Sequence, residues 1–471
     1  MPISARYRPD PLFAQLGPEF ADPVAPARFP QHALRWRNQR WAERVGLDGL
    51  SAAEWEAHFA RFEALPGNME APLAMRYHGH QFRTYNPDIG DGRGFLFAQL
   101  RDGEDRLLDL ATKGSGQTPY SRFGDGRLTL KGGVREVLAA GMLDALGVYT
   151  SKAFSLFETG EQLTRGDEPS PTRSSVLTRL SHSHMRFGTF QRLAYFERPD
   201  LMQKLVEHCC AAYYPRHLNL NSEARAAALF GEAVDANARL AGTWMAAGFV
   251  HGVLNTDNLN ICGESFDYGP WRFVPDSDPS FTAAYFDETG LYAFGRQPEA
   301  VSWALAQLGG ALSIICPAAL LESELQRFGS SYQVGLRDGV FGRLNLVEGD
   351  WDADIAFLSD IFGWLTETRA GWDQFFHDWY CGAASVSRAA AGPQAELYDT
   401  PAFKKIRDGF EMRGGSSAFL TQPYFQRATP VTMLVGDVEA VWAPIAERDD
   451  WSAFEAKLRD VATLREALGP S

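Results

Sequence analysis

His251-Gly252-Val253-Leu254-Asn255-Thr256-Asp257-Asn258, followed by Asp267-Tyr268-Gly269, is the stretch on which the fold turns. Three polar anchors stand in order: His251, Asn258 seven residues on, and Asp267 nine residues after that. Amide and carboxylate oxygens of this kind suit Mg2+, which takes one or two protein ligands and completes its shell with phosphate oxygens and water. An Asx-rich turn capping a helix would use the same residue types. The ordered spacing favours the metal reading.

The spacing matches the His-Arg-Asp and Asp-Phe-Gly segments of protein kinases, which place a metal-binding Asn seven residues after the His. One position departs. The catalytic Asp, two residues after the His, is replaced by Val253, which cannot accept a proton. Asp257 is the nearest carboxylate able to stand in.

Working upstream, Gly94–Leu100 reads as a strand, Arg101–Asp105 as a turn carrying Asp102-Gly103, and Leu107–Lys113 as the returning strand. After a Gly-rich loop, Val134, Val137, Leu138, Met142 and Leu146 recur at helical spacing and stop at Gly147. This puts Lys113 at a strand end and Glu136 on the next helix, the order in which a kinase-type fold holds nucleotide phosphates. A charge count alone would make them a surface pair. The turn Ile89-Gly90-Asp91-Gly92-Arg93-Gly94 could admit phosphate to backbone N–H groups. It is neither a dinucleotide fingerprint, since no strand is read before it and no helix directly after, nor a Walker A loop.

Thr172–Arg192 holds Arg173, Arg179, Arg186 and Arg192 with His182 and His184, and no carboxylate. Guanidinium groups fit phosphate in bidentate fashion. A solvated basic face is the plain alternative, but interleaved Val176, Leu177, Leu180, Met185 and Phe187 imply partial burial. His78-Gly79-His80 lacks a third metal-type partner at a telling distance. Trp36, Trp41 and Trp55 are read on helices, as are Glu223–Ala247, Pro298–Ile314, Asp354–Thr368 and Trp451–Leu468. Arg165–Pro171 reads as a surface loop.

Composition sets the frame. The chain has 471 residues, 45% hydrophobic and 22% charged, which excludes wholesale disorder. Its net charge of −14 repels nucleic acid and anionic membrane, so phosphate chemistry needs a focused basic cluster. Five cysteines without a CxxC pair make no disulfide framework; Cys209 and Cys210 read as buried thiols. The opening residues carry no apolar signal segment. The uncharged run from Ala300 to Leu321 could span a bilayer by length, yet Gln307, Gly309-Gly310 and Pro317 mark it as a buried helix. A cytoplasmic setting, without nucleic-acid or membrane partners, is expected.

The expected fold is α+β: a bilobal protein-kinase-like fold with a mixed N-lobe, a mostly helical C-lobe and extra terminal segments. The expected division is an N-terminal extension (1–80), a nucleotide-binding N-lobe (81–195), a helical catalytic C-lobe (196–400) and a C-terminal extension (401–471).

The motifs Lys113-Gly-Ser-Gly-Gln-Thr-Pro-Tyr-Ser-Arg-Phe-Gly-Asp-Gly-Arg127, Gly90-Asp-Gly-Arg93, His251–Asn258 and Asp267-Tyr-Gly-Pro270 resemble the selenoprotein O (YdiU) family of pseudokinase-like proteins. The resemblance spans roughly residues 10 to 300, with a poor match beyond about 400. It implies a kinase-like fold that binds ATP in a flipped orientation with Mg2+ or Mn2+. AMP, not phosphate, then passes to Ser, Thr or Tyr hydroxyls of proteins, the enzyme included, and pyrophosphate leaves. By motif position, Gly90, Gly92 and Arg93 resemble nucleotide contacts. Lys113, Asp125, Gly126, Arg179 and Arg186 resemble nucleotide and phosphate contacts, and Glu136 the partner of Lys113. Asn258 and Asp267 resemble the metal ligands, and Asp257 the proton acceptor. Some relatives carry a C-terminal Cys pair or selenocysteine linked to redox control; this chain has no Cys after Cys381, so no such switch is expected. An ordinary phosphotransferase and a non-catalytic nucleotide-binding scaffold are the rival readings.

Overall fold

In the computed structural model, which describes residues 4–166 and 168–469, an antiparallel sheet and a set of helices form a mixed α+β architecture. The sheet strands are β1 (Ala21–Pro23), β2 (Ala33–Arg37), β3 (Leu73–Met75), β4 (Leu96–Arg101), β5 (Leu107–Lys113), β6 (Leu128–Thr129), β7 (Lys152–Leu163) and β8 (Thr172–Ser181). Their order is β1-β3-β4-β5-β8-β7-β2, with β6 added on β8. The β4–β5 hairpin forms where Asp102-Gly103 stands. Asp102 Oδ1 accepts from the backbone N–H groups of Glu104 and Arg106, both at 3.0 Å, and so supplies the turn's hydrogen bonds. β4 begins at Leu96 rather than Gly94, because Gly94 packs its backbone against the next strand. A Cβ there would lie 2.2 Å from the Thr112 carbonyl oxygen.

Helix α1 (Leu130–Ala145) starts at Thr129, whose Oγ1 accepts from Gly132 N at 3.1 Å. It packs on β7 and β8, and its face of Val134, Val137, Leu138 and Leu143 is fully buried. The helical part is organised around α3 (Ser222–Ala247), which Asn221 caps and Gly248 ends in a left-handed turn at φ 67°. α3 is buried against α4 (Gln297–Leu312) and α5 (Phe328–Leu344). The alanine-rich sequence of α3 permits this close approach, since small side chains let the neighbouring helices come near. The run from residue 300 falls on α4; among the described residues no helix is long and apolar enough to cross a membrane.

Two further helices, α6 (Val435–Arg448) and α7 (Ser452–Leu468), lie on α1. Lys131 pairs with Glu439 at 2.8 Å, and Arg465 lies 3.8 Å from Asp144. Between the two helices, Asp449 meets Arg173 and Arg35, which both also pair with Glu158.

Two expectations are corrected. Trp36 stands on strand β2, not on a helix: its segment pairs with β7, and that long strand needs an edge partner. Trp41 and Trp55 are helical. A short strand also precedes the glycine turn: Thr84–Asn86 pairs with Gly79–Gln81 in a two-stranded ribbon. The loop of residues 165–171 connects β7 and β8; Asp167 lies outside the described residues.

Candidate active site

The end of β5, the glycine turn, the loop of residues 114–127, and the segments around Asp257 and Asp267 enclose a cavity of about 800 Å³. Its walls include Gly90, Gly92 and Arg93 from the turn, and Asp125 and Gly126 from the loop. Its floor is made by Lys113, Arg179, Arg186 and Asp267, with Asp257 and Asn258 beside them. Glu136 stands behind Lys113 and holds its ammonium group in a buried ion pair. This brings all eleven residues singled out by motif, with Glu136 behind them, to one place.

Charge is concentrated on the floor. The Lys113 Nζ lies 2.8 Å from Asp267 Oδ1. Arg179 and Arg186 each reach an Asp267 oxygen at 3.2 Å. Burial alone would raise the Asp267 carboxyl; Lys113, Arg179 and Arg186 outweigh it and hold the group well below the usual carboxylate range. Asp267 has φ 64°, a conformation that costs a non-glycine residue energy and is kept where surrounding contacts demand it.

Arg186 directly precedes helix α2 (Phe187–Tyr195), and its guanidinium lies 4.8 Å from the ring centres of both Tyr77 and Phe266. Arg179 also faces Phe266, at 5.8 Å. Burial pulls the Arg186 guanidinium down, but Tyr77, Asp267 and Asp91 more than restore it, so the cation stays charged inside the protein.

The segment 251–258 is fixed from within. His251 is buried, donates Nε2–H to the Phe266 carbonyl at 2.9 Å, and receives nothing at Nδ1. Burial lowers its pKa, so it is a neutral strut that ties this segment to the one bearing Asp267. Asn258 Nδ2 donates to the Val253 carbonyl at 2.9 Å, which closes the loop. Thr256 donates to Gln191 at 2.6 Å and accepts from His80 N at 2.7 Å. Asp257 is buried, its Oδ1 has no hydrogen-bond partner, and burial raises its carboxyl to about 6. A carboxyl near neutrality that lines a cavity can accept a proton.

The loop of residues 114–127 is pinned onto the glycine turn. Ser121 donates to the Gly92 carbonyl, Thr118 to the Asp91 carbonyl, and Tyr120 to Asp22. Asp125 is bound to Arg165 at 2.8 Å and accepts from Arg127 N at 2.9 Å. Burial tends to raise its carboxyl, and these bonds leave it below its ordinary value.

The basic segment divides. Arg179 and Arg186 face the cavity, whereas Arg173 joins the Glu158–Asp449 network and Arg192 donates to the Glu19 carbonyl at 3.1 Å. Sequence reasoning gave no role to Tyr77, Phe266 or Asp91, although Asp91 sat inside a quoted motif. Asp91 is a partly buried carboxylate 3.7 Å from Arg186, and its Oδ2 accepts from Met75 N at 3.0 Å. A lone carboxylate between two glycines was its signal. Tyr77 and Phe266 had none.

Glu264, three residues before Asp267, was missed as well. Its neighbour Ser265 donates to the Tyr149 carbonyl and accepts from Ser151 N, both at 2.9 Å. Glu264 is buried, its Oε2 accepts from His182 N at 2.8 Å, and burial pushes its carboxyl from 4.5 to about 7. The folded state therefore holds the proton more tightly. The associated stability is complete below pH 4.5 and is lost as pH rises through 7. Glu264→Gln is expected to flatten stability across this window and to gain about 2–3 kcal/mol at pH 8, read from urea midpoints at several pH values.

Comparison with known proteins places this arrangement in a family. A family model described as "Protein adenylyltransferase SelO" matches residues 3–462, so the likeness runs past residue 300 and takes in the tail expected to match poorly. The chain is 44% identical to the protein nucleotidyltransferase YdiU of Synechococcus elongatus, over 95% of this chain and 94% of the relative. It is 45% identical to that of Gloeobacter violaceus, over 94% and 93%. With the Vibrio cholerae protein of the same name the identity is 34%, over 78% and 74%. The chain belongs to the SelO family of protein adenylyltransferases.

Proposed function

We propose that this chain transfers AMP from ATP to Ser, Thr or Tyr hydroxyls of proteins, itself included, and releases pyrophosphate. The observation that carries the reading is the cavity floor, where three buried cations converge on one carboxylate. Buried guanidinium and ammonium groups make a seat for phosphate, not for a purine ring. ATP entering with its terminal phosphates inward would take Lys113, Arg179 and Arg186 from Asp267. Its α-phosphorus would then lie toward Asp257 and its base toward the mouth, where Gly90, Gly92, Arg93, Asp125 and Gly126 stand.

A divalent cation fits the donor set. Asn258 spends its Nδ2 on Val253 and keeps its oxygen, Asp267 offers two carboxylate oxygens, and all are hard ligands on one cavity. Asn258 and Asp267 would hold Mg2+ or Mn2+, which when bound neutralises charge on the phosphates. Asp257, on the cavity wall, would take the proton of the attacking hydroxyl. Glu136 keeps Lys113 aimed inward.

The Lys113–Glu136 pair supports a kinase-like arrangement of two lobes, divided as 81–195 and 196–400, with 1–80 and 401–471 as extensions. Five free, buried cysteines support a cytoplasmic setting. The relatives' names describe transferases, which favours an enzyme over a pseudokinase scaffold. The test uses ATP labelled at either end of its triphosphate. Label from the α-phosphate should appear on protein and label from the γ-phosphate should not. The reverse result would make the chain a phosphotransferase.

A further inference from the structure

One solvent-exposed aromatic side chain lines the cavity, and a second exposed aromatic group is linked to its wall through Phe82 and Asn255. Phe123, on the loop of residues 114–127, is 107% exposed and lines the cavity. The loop is held by hydrogen bonds at Thr118, Tyr120 and Ser121 and by ion pairs at Asp125 and Arg127, so Phe123 stands on a fixed support. The second group follows Asp267: Tyr285 is 83% exposed and Phe286 47%. Phe286 rests on Phe82 at 5.8 Å, and Phe82 N donates at 3.0 Å to Asn255, itself a cavity residue. Neighbouring Arg122 is exposed, has no carboxylate within 4.0 Å among the described residues, and its charge is felt at Asp257. In a chain of net charge −14, Arg122 is a free cation on the wall of the cavity that holds Asp257. Exposed aromatic side chains held on fixed supports can receive an apolar side chain of another molecule.

We propose that the polypeptide bearing the acceptor hydroxyl docks over Phe123 and the Tyr285–Phe286 pair. It carries a large apolar side chain next to the hydroxyl and an acidic one toward Arg122. The inference rests on the adenylyl-transfer reading and names the substrate class for it. Apolar contact would hold the acceptor while Asp257 receives its proton, and Arg122 would choose among acceptors by charge.

The test measures AMP transfer from α-labelled ATP to two peptides. One has Ser flanked by Phe and Glu; the other has the same Ser flanked by Ala and Lys. The wild-type enzyme should favour the first by about tenfold or more in kcat/KM. Phe123→Ser and Tyr285→Ser should each raise KM for it about five- to tenfold. Their kcat and their calorimetric ATP affinity should stay within about twofold of wild type. Equal use of the two peptides overturns the inference. So does weakened ATP binding in Phe123→Ser, which would make Phe123 a platform for the base, or a changed mass by light scattering, which would make the aromatics a self-association surface. Label on other proteins but on neither peptide overturns this inference alone. No α-label on any protein overturns the adenylyl-transfer reading with it.

Discussion

Asp267→Asn is expected to lower AMP transfer by about 10³-fold or more and to destabilise the unliganded protein by about 3–5 kcal/mol. Both effects have one origin. The carboxylate is the shared counter-ion of Lys113, Arg179 and Arg186; removing it strips Arg179 of its ion-pair partner and leaves Lys113 and Arg186 with Glu136 and Asp91 alone. Asn is the substitution of choice because it tolerates the φ of 64° at this position. Excess pyrophosphate should return much of the lost stability, since an anion that binds only the folded state stabilises it by mass action. Urea melts with and without pyrophosphate, alongside transfer assays, check both halves. Wild-type transfer by the variant would remove Asp267 from the site.

Arg186→Ala should weaken ATP binding by about 1.5–3 kcal/mol, or roughly 10- to 150-fold in Kd. The guanidinium is already immobilised, with Tyr77 and Phe266 each at 4.8 Å and Asp91 at 3.7 Å, so little side-chain freedom is lost when phosphate arrives. Arg186→Lys should rescue poorly, because an ammonium group cannot reproduce the planar stacking. Calorimetric affinity unchanged from wild type would assign this arginine a structural task only.

Much of the site was legible because its local signals are strong. A strand ending in Lys113, a helix carrying Glu136 and an ordered run from His251 to Asp267 all follow from spacing along the chain. The stacking of Arg186 was not legible, because Tyr77 and Phe266 come from distant segments that meet only in the fold. Spacing alone did not sort the arginines of β8, although the motif resemblance singled out Arg179. Counting by twos puts Arg173 and Arg179 on one face of a strand, but the β7–β8 pairing shifts register between Arg173 and Ser175 and again between Thr178 and Arg179. The extra residues of both irregularities lie on β7, so position along β8 parts the two side chains, Arg173 meeting Asp449 and Arg179 meeting Asp267. Trp36 was misplaced because an aromatic at a strand edge and one on a short helix leave the same trace in sequence.

The packing of α6 and α7 on α1 bears on when the protein becomes competent. On a ribosome, every charged group of the cleft emerges long before the pair of helices that braces the one carrying Glu136. A nascent chain halted ahead of Val435 would own a complete set of phosphate-gripping side chains but leave the outer flank of their supporting helix bare to water. Order of synthesis thus places the chemistry first and its buttress last.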